Sequence, residues 1–512
     1  MHNAKTHQSP GHGRNVFAFC LLHLALATLV ASGCAKTPPA SRATPTAVPV
    51  DPLQQLRDDI TASTQAPGVQ RGAWGVVVHS LDRDERLYDL NPRMLLVPAS
   101  AAKLAAVATA ADAVGWDYRY ETTVRATGPI VDGAVQGDLI ITGSGDPTIG
   151  GRAGDDIDGW IQELKASGIR RVDGRIIGDD DAIEEPRPQL AWAWDDLGYT
   201  TGALFGALNF AENRLTVTIT PGVAAGTPAA ISVDPHAAYR PLANRVATVA
   251  AGAAQLVWPE QRPGEPYLTI AGTIAAGAVP TRLNVAAGNP TFWFASVFRN
   301  RLQRQGIDVS GDAWDIDDVS PAPDRSHAAV LVTHRSRPLS EVVQPLLKES
   351  INLYAEAVMR LNAAPGALPT NDAALAGFRA RLEAWGIPPD AQQVIDGSGL
   401  SRRDVISAQA LLSILQRMHD PTASSPFVRA LPIAGVDGSL ANRMRDTPAA
   451  GNARAKTGTM SNIRSLAGYV TTRDGEHLAF VAIVNNFEGP GASANQALDA
   501  IAVSLARFSR MK

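Results

Sequence analysis

Tyr118 to Asn289 divides the chain's helical regions into two blocks. Within it, short apolar runs are punctuated by Gly, Pro and Asp, as in "VDGAVQGDLIITGSGDPTIGG", "VDGRIIGDD", "NRLTVTITPG" and "PYLTIAGTI". Such spacing predicts many short strands rather than helices. Before it come a helix from Asp51 ("DPLQQLRDDITAST"), two strands ("AWGVVVHSL", "ERLYDLNP") turning at "DRDE", and an Ala-rich helix over Ser100–Ala113 ended by Gly115. After it, helical patterns return ("TFWFASVFRNRLQRQG", "SEVVQPLLKES", "NLYAEAVMRLNA", "SAQALLSILQRMHD"). The chain then closes strand–strand–strand–helix from "ARAKTGT" to "ASANQALDAIAVSLARFS". The strands of the two ends can share one sheet between helices, giving a discontinuous α/β/α domain with inserted β-rich sub-domains. A length of 512 residues exceeds one hydrophobic core and requires such a division. The expected parts are 51–117, an insertion of two sub-domains over 118–315, and 316–512. No repeat recurs at a fixed period.

The N-terminus reads as an address rather than as fold. Lys5 and Arg14 precede the apolar run "VFAFCLLHLALATLVASGC", so residues 1–34 form an export signal. Its end, "LVASGC", resembles a bacterial lipobox, which would make Cys34 a lipidated mature N-terminus. A plain secretory signal or an uncleaved anchor are the alternatives. Residues 35–50 are rich in Pro, Thr and Ala and read as a tether. The only cysteines, Cys20 and Cys34, lie in the signal, so the mature domain has no disulfide. A net charge of −4 and the absence of a polybasic tract exclude a nucleic-acid footprint and leave a lipid anchor as the expected membrane attachment.

Of 46 basic residues only seven are Lys, and one of them, Lys103, stands in an apolar run three residues after Ser100. On a helix these two share a face. A helix N-terminus supplies free N–H groups and positive potential. Lys can lose its proton when its surroundings lower its pKa, whereas Arg cannot. The plain alternative is a Ser that caps a helix beside a surface Lys, and "SRMK" (Ser509, Lys512) has the same spacing. Two further motifs favour chemistry. "KTG" (Lys456, Thr457, Gly458), followed by Thr459, opens a C-terminal strand where Gly lets a substrate backbone approach. "SIN" (Ser350, Ile351, Asn352) lies between two helices. Other chemistries lack their motifs: there is no Gly-Lys dipeptide for a P-loop, no HExxH, no CxxC and no GxSxG. The histidines beyond the signal have no metal-ligand spacing, so neither a metal nor a cofactor is expected.

Ser-x-x-Lys, Ser-x-Asn and Lys-Thr-Gly, in that order, are the trio of penicillin-binding proteins and serine β-lactamases. From Asp51 to Phe508 the sequence resembles the low-molecular-mass class C penicillin-binding proteins, the D-Ala-D-Ala carboxypeptidase/endopeptidases. The 250 positions between Ser100 and Ser350 match that family, which carries inserted domains there. "GDLIITGSGDPTIG", "WAWDDLGYTTGALFGALNFAEN", "DGSGLSRRD" and "LPIAGVDGSL" also look like the family's. Ile351 departs from it, since relatives often carry Asp or Asn there.

The resemblance implies these roles. Ser100 is the nucleophile and Lys103 its base. Ser350 with Lys456 relays a proton to the leaving amine. Asn352 binds the substrate amide. Thr457 and Thr459 bind the terminal carboxylate, with the N–H groups of Ser100 and Thr459 as oxyanion hole. Asp196, in "WDDLG", would contact the diaminopimelate end of the stem peptide, or else serve as a turn or cap residue. The implied partners are peptidoglycan stem peptides, with β-lactams as covalent inhibitors, in a periplasmic setting and with the outer membrane as anchor. A β-lactamase or esterase of the same fold, and a peptidoglycan-binding scaffold without catalysis, are the competing readings.

Overall fold

A computed structural model describes residues 51–511, apart from 153–156, 235–240, 263, 421 and 423. The expected export signal, Cys20, Cys34 and the tether lie outside the described residues. Helix α1 (Pro52–Thr64) starts with Pro, which has no donor to leave unpaired, and the Asp51 carboxylate accepts from the Leu53 N–H. Strands β1 (Ala73–Ser80) and β2 (Glu85–Leu90) follow, then helix α2 (Ala102–Val114). Far along the chain come α3 (Leu339–Lys348), α4 (Asn352–Arg360), β3 (Arg454–Met460), β4 (Ile463–Thr471), β5 (His477–Asn485) and α5 (Gly491–Arg507).

The strands of both ends form one antiparallel sheet in the order β2-β1-β5-β4-β3. Side chains alternate across it, as the two-residue period requires. Val77, Val481 and Ile483 face α2 and the Ala408–Met418 helix, while Val76, Val78, Phe480 and Val484 face α1 and α5. This is the α/β/α arrangement expected from the sequence. The alanines of α2 explain its central place. Every residue from Ala102 to Ala111 is buried, so this helix is packed on all sides and its small side chains admit close neighbours.

The segment between α2 and α3 is β-rich. Glu121–Ala126, Leu139–Gly143, Ile176–Asp179, Ala313–Asp315 and Ala329–Arg335 make a five-stranded sheet, and further sheets of three and four strands accompany it. One hydrophobic cluster runs through the sheets, from Val124 and Ile141 through Val217 and Ile270 to Trp293, Phe294 and Val332. The expected boundary at 315 falls short. Ala329–Arg335 pairs antiparallel with Glu121–Ala126, so the inserted sheet is completed only at Arg335. That strand lies at the sheet edge and buries only Val332, which leaves little apolar alternation to mark it in the sequence.

Candidate active site

Ser100 is held by backbone contacts that begin before it. Asn485, at the end of β5, accepts from the Val97 N–H at 2.8 Å and donates to the Val97 carbonyl at 3.0 Å. The Ser465 hydroxyl of β4 donates to the Pro98 carbonyl at 2.7 Å. Ala99 then takes a left-handed φ of 48°, unusual for a residue with a β-carbon. Ser100 lies in a short 3₁₀ turn, Ala99–Ala101, that leads into α2. It makes no side-chain cap, so its hydroxyl is left to Lys103.

Lys103 is fully buried, and its three ammonium protons have three acceptors. These are Ser100 Oγ at 2.9 Å, Asn352 Oδ1 at 2.7 Å and the Ser398 carbonyl at 2.5 Å. Lys456, also fully buried, donates to Ser350 Oγ at 2.9 Å and to the Thr457 carbonyl at 2.8 Å. Ser350 joins α3 to α4 with a left-handed φ of 61°. Asn352, the first residue of α4, bridges outward as well, giving its Nδ2 proton to the Thr201 carbonyl at 2.8 Å. Gly458 is required by contact. A β-carbon there would lie 2.4 Å from the Pro98 carbonyl and 2.1 Å from Ser465 Oγ.

The structure thus brings Ser100, Lys103, Ser350, Asn352, Lys456, Thr457 and Gly458 together, with Thr459 exposed beyond them on the same strand. Asp196 lies in the 3₁₀ turn Trp194–Asp196. The chain on either side of that turn is tied to the site. Trp192 Nε1 donates to Asp396 Oδ2 at 2.7 Å, and the Thr201 carbonyl receives Asn352. Asp196 itself makes no side-chain hydrogen bond among the described residues. Burial raises its pKa, the neighbouring Asp195 adds to this, and Arg402 opposes it.

Three buried acids went unread in the sequence. Glu356 Oε1 accepts from the Gly397 and Ser398 N–H groups at 3.1 and 2.9 Å. Asp396 accepts from Gly399 and Ser401 N–H at 2.6 and 2.8 Å, and Asp404 from Ile395 N–H at 2.6 Å. Together they shape the loop whose Ser398 carbonyl meets Lys103. Glu356 was within reach of sequence reasoning, since it follows Asn352 by one helical turn on the same face. Asp396 and Asp404 read only as turn residues. Separately, in the insert, Asp180, Glu185 and Asp317 each place a carboxylate oxygen within 4.8 Å of the other two. Burial and these neighbours push Glu185 up to about 7, so protonation can relieve their repulsion.

The two lysines sit in unlike fields. Burial lowers Lys103 to about 8, and Asp396, Glu356 and Asp404 keep it from falling further. Burial drives Lys456 well below its ordinary value, and the charge of Lys103 drives it lower still. The ammonium form is therefore better supported on Lys103 than on Lys456.

The model of the D-Ala-D-Ala carboxypeptidase 3 (S13) family matches residues 56–508. The chain belongs to that family. It is 34% identical over 471 residues to a D-alanyl-D-alanine carboxypeptidase of Actinomadura sp. strain R39, covering 89% of this chain and 85% of the relative. It is 24% identical over 420 residues to the D-alanyl-D-alanine carboxypeptidase DacB of Haemophilus influenzae, covering 81% and 85%. The crystal structure of penicillin-binding protein 4 from H. influenzae superposes with a TM-score of 0.76 at 24% identity, over 88% of this chain and 99% of that one. This S13 chain is accordingly a serine-type hydrolase of the DD-carboxypeptidase class with the α/β fold of the penicillin-binding proteins.

Replacing Lys103 by Met removes the amine while keeping most of the buried volume. The variant should fold, as far-ultraviolet circular dichroism would show. Acylation by benzylpenicillin should slow by about 10²–10⁴-fold, the usual contribution of a positioned base. A variant acylated at the wild-type rate would remove Lys103 from that role.

Proposed function

We propose that the chain cleaves the terminal D-Ala-D-Ala bond, and related cross-links, of peptidoglycan stem peptides through an acyl-enzyme on Ser100. The observation that carries this reading is the pair of Ser–Lys hydrogen bonds, Ser100–Lys103 and Ser350–Lys456, each 2.9 Å long. They open on the free edge of β3. That strand ends the sheet, and the Pro432–Ala434 segment covers its outer side only as far as Ala455. The Ala455 N–H points outward to the Pro432 carbonyl at 3.0 Å, so by alternation the Thr457 and Thr459 N–H groups point outward too. No backbone carbonyl among the described residues takes them. A substrate peptide can add there as a further strand.

In the proposed reaction Ser100 Oγ attacks the carbonyl carbon of the penultimate D-Ala, and Lys103 takes the hydroxyl proton. The Ser100 and Thr459 N–H groups receive the oxyanion. As the C–N bond breaks, Ser350 gives a proton to the leaving amine and regains one from Lys456. Lys103 must then be neutral and Lys456 charged, the reverse of the order that burial and the neighbouring carboxylates favour. The substrate's terminal carboxylate, bound by Thr457 and Thr459 beside Lys456, supplies the bias. A nearby negative charge favours the proton on Lys456, and Lys103 is freed to act as base. Water then hydrolyses the ester and restores Ser100. Asp196 is proposed to meet the cationic end of the stem peptide.

The β-lactam ring mimics the same bond, and a structure of the H. influenzae relative is described as complexed with a β-lactam. Benzylpenicillin should therefore add one mass equivalent to this chain and none to Ser100→Ala, followed by intact-mass spectrometry. Intact penicillin without an adduct would favour the scaffold reading. Ser100-dependent hydrolysis without an adduct would favour a β-lactamase.

The pH profile carries a second expectation. The alkaline limb of kcat/KM for a D-Ala-D-Ala peptide should fall near pH 8, where Lys103 loses the proton that substrate binding is proposed to pass to Lys456, because kcat/KM reports the free enzyme. A rate that climbs through pH 8 to a plateau would mean that Lys456 is not the proton source.

The cell envelope is the setting of this chemistry, and no described helix is long and apolar enough to cross a membrane. The lipobox-like end of the signal supports a lipid anchor on Cys34, facing the periplasm from the outer membrane. Cells expressing the chain should incorporate labelled palmitate into it, and Cys34→Ala should abolish the label. An unlabelled wild type would leave a plain export signal.

A further inference from the structure

The 431–440 segment of this chain presents a hydroxyl to the strand where the substrate is proposed to bind. Thr457 is buried, and its Oγ donates to Ser439 Oγ at 2.7 Å, its one side-chain partner among the described residues. A hydroxyl carries one proton and two acceptor sites. In this arrangement Thr457 gives its proton to Ser439 and has none for an anion. If Ser439 donates instead, the Thr457 proton is free to point into the cleft. An arriving carboxylate accepts only, so it selects the second arrangement, and the Ser439 proton polarises the Thr457 hydroxyl.

Ser439 is exposed, yet its backbone is held in place. Asp437 accepts from Lys348 Nζ at 2.6 Å and from the Ile433 N–H at 2.8 Å. Lys348 also donates to the Leu431 carbonyl at 2.8 Å. Gly438, at φ 54°, presses on the end of α3, where a β-carbon would stand 2.5 Å from the Lys348 carbonyl. Lys348 is two residues before Ser350, so one lysine ties the turn bearing Ser439 to the motif bearing Ser350. Meanwhile the Ala434 N–H bonds the carbonyl of Ala453, the residue before β3, at 2.9 Å, fixing the same segment to the start of that strand.

We propose that Ser439 is a positioning residue for the terminal carboxylate: it donates to Thr457 Oγ and thereby aims the Thr457 proton at the substrate anion. This rests on the reading of the site given under Proposed function. It implies discrimination between peptides that end in a carboxylate and those that end in an amide.

The test compares Ser439→Ala and Ser439→Thr with the wild type on a D-Ala-D-Ala peptide and on its C-terminal amide, with thermal unfolding as a check of folding. Ser439→Ala should lower kcat/KM for the acid up to about ten-fold, mainly through KM, as expected for a lost hydrogen bond between neutral hydroxyls. The amide should be unaffected, and Ser439→Thr should restore the acid. An equal loss on both peptides would make Ser439 merely structural, and no loss would make it a bystander. Either overturns the proposal. A wild type that benzylpenicillin does not acylate at Ser100 would overturn the parent reading instead, a result independent of either variant.

Discussion

A buried lysine organises this molecule. Taking an ammonium group out of water costs several kcal/mol unless every donor is matched. Lys103 is matched three times, by Ser100 close in sequence, by Asn352 249 positions away and by the Ser398 carbonyl 295 positions away. Each acceptor arrives on a different element: the turn before α2, the start of α4 and the acid-lined loop. Misplacing any one of them leaves a proton of a buried cation unpaired. The buried charge of Lys103 therefore sets the geometry of one neighbouring and two remote segments.

Backbones must meet closely for this to work, and Ala99 is where they meet. Its carbonyl lies 2.1 Å from where a β-carbon of Gly399 would be, and its β-carbon lies 3.2 Å from where one of Gly458 would be. Gly399 also has a φ of 76°, which a side chain would resist. The glycines after Ser398 and Thr457 thus have one physical cause. They let the loop behind Lys103 and the strand beside Ser100 close on the same turn from opposite sides. The left-handed φ of Ala99 is local strain that this enclosure holds in place.

Much of this was legible in the sequence, because local chemistry and local structure coincide there. The Ala-rich helix after Ser100, the Gly in the C-terminal strand and the Ser between two helices each carry their own signal. The shared sheet of chain ends was legible too, since strands before the insert and after it read as apolar runs, which in the fold are buried on both faces. The buried acids were not, because nothing in "DGSGLSRRD" distinguishes Asp396, enclosed and accepting two loop N–H groups, from an exposed turn residue. Burial is a property of what packs over a residue, and here that cover comes from Trp192 and Glu356, both distant in the chain. The edge strand Ala329–Arg335 escaped for the opposite reason, since its exposure leaves no pattern to read.

The position of the insert then has a chemical consequence. It leaves after α2 and returns before α3, so it is bounded by the Ser100 motif on one side and the Ser350 motif on the other. Its Trp192 and Thr201 reach back to Asp396 and Asn352, and Ile183 and Phe205 join the hydrophobic core around α2. Asn352 consequently binds Lys103 with its oxygen and the insert with its nitrogen. An amide held at both ends cannot rotate without breaking one bond, so the insert fixes the orientation of the residue that meets the Lys103 amine. A β-rich addition of this kind is therefore part of the candidate site's frame, and Asp196, lying between Trp192 and Thr201, is carried on the stretch that those two contacts immobilise.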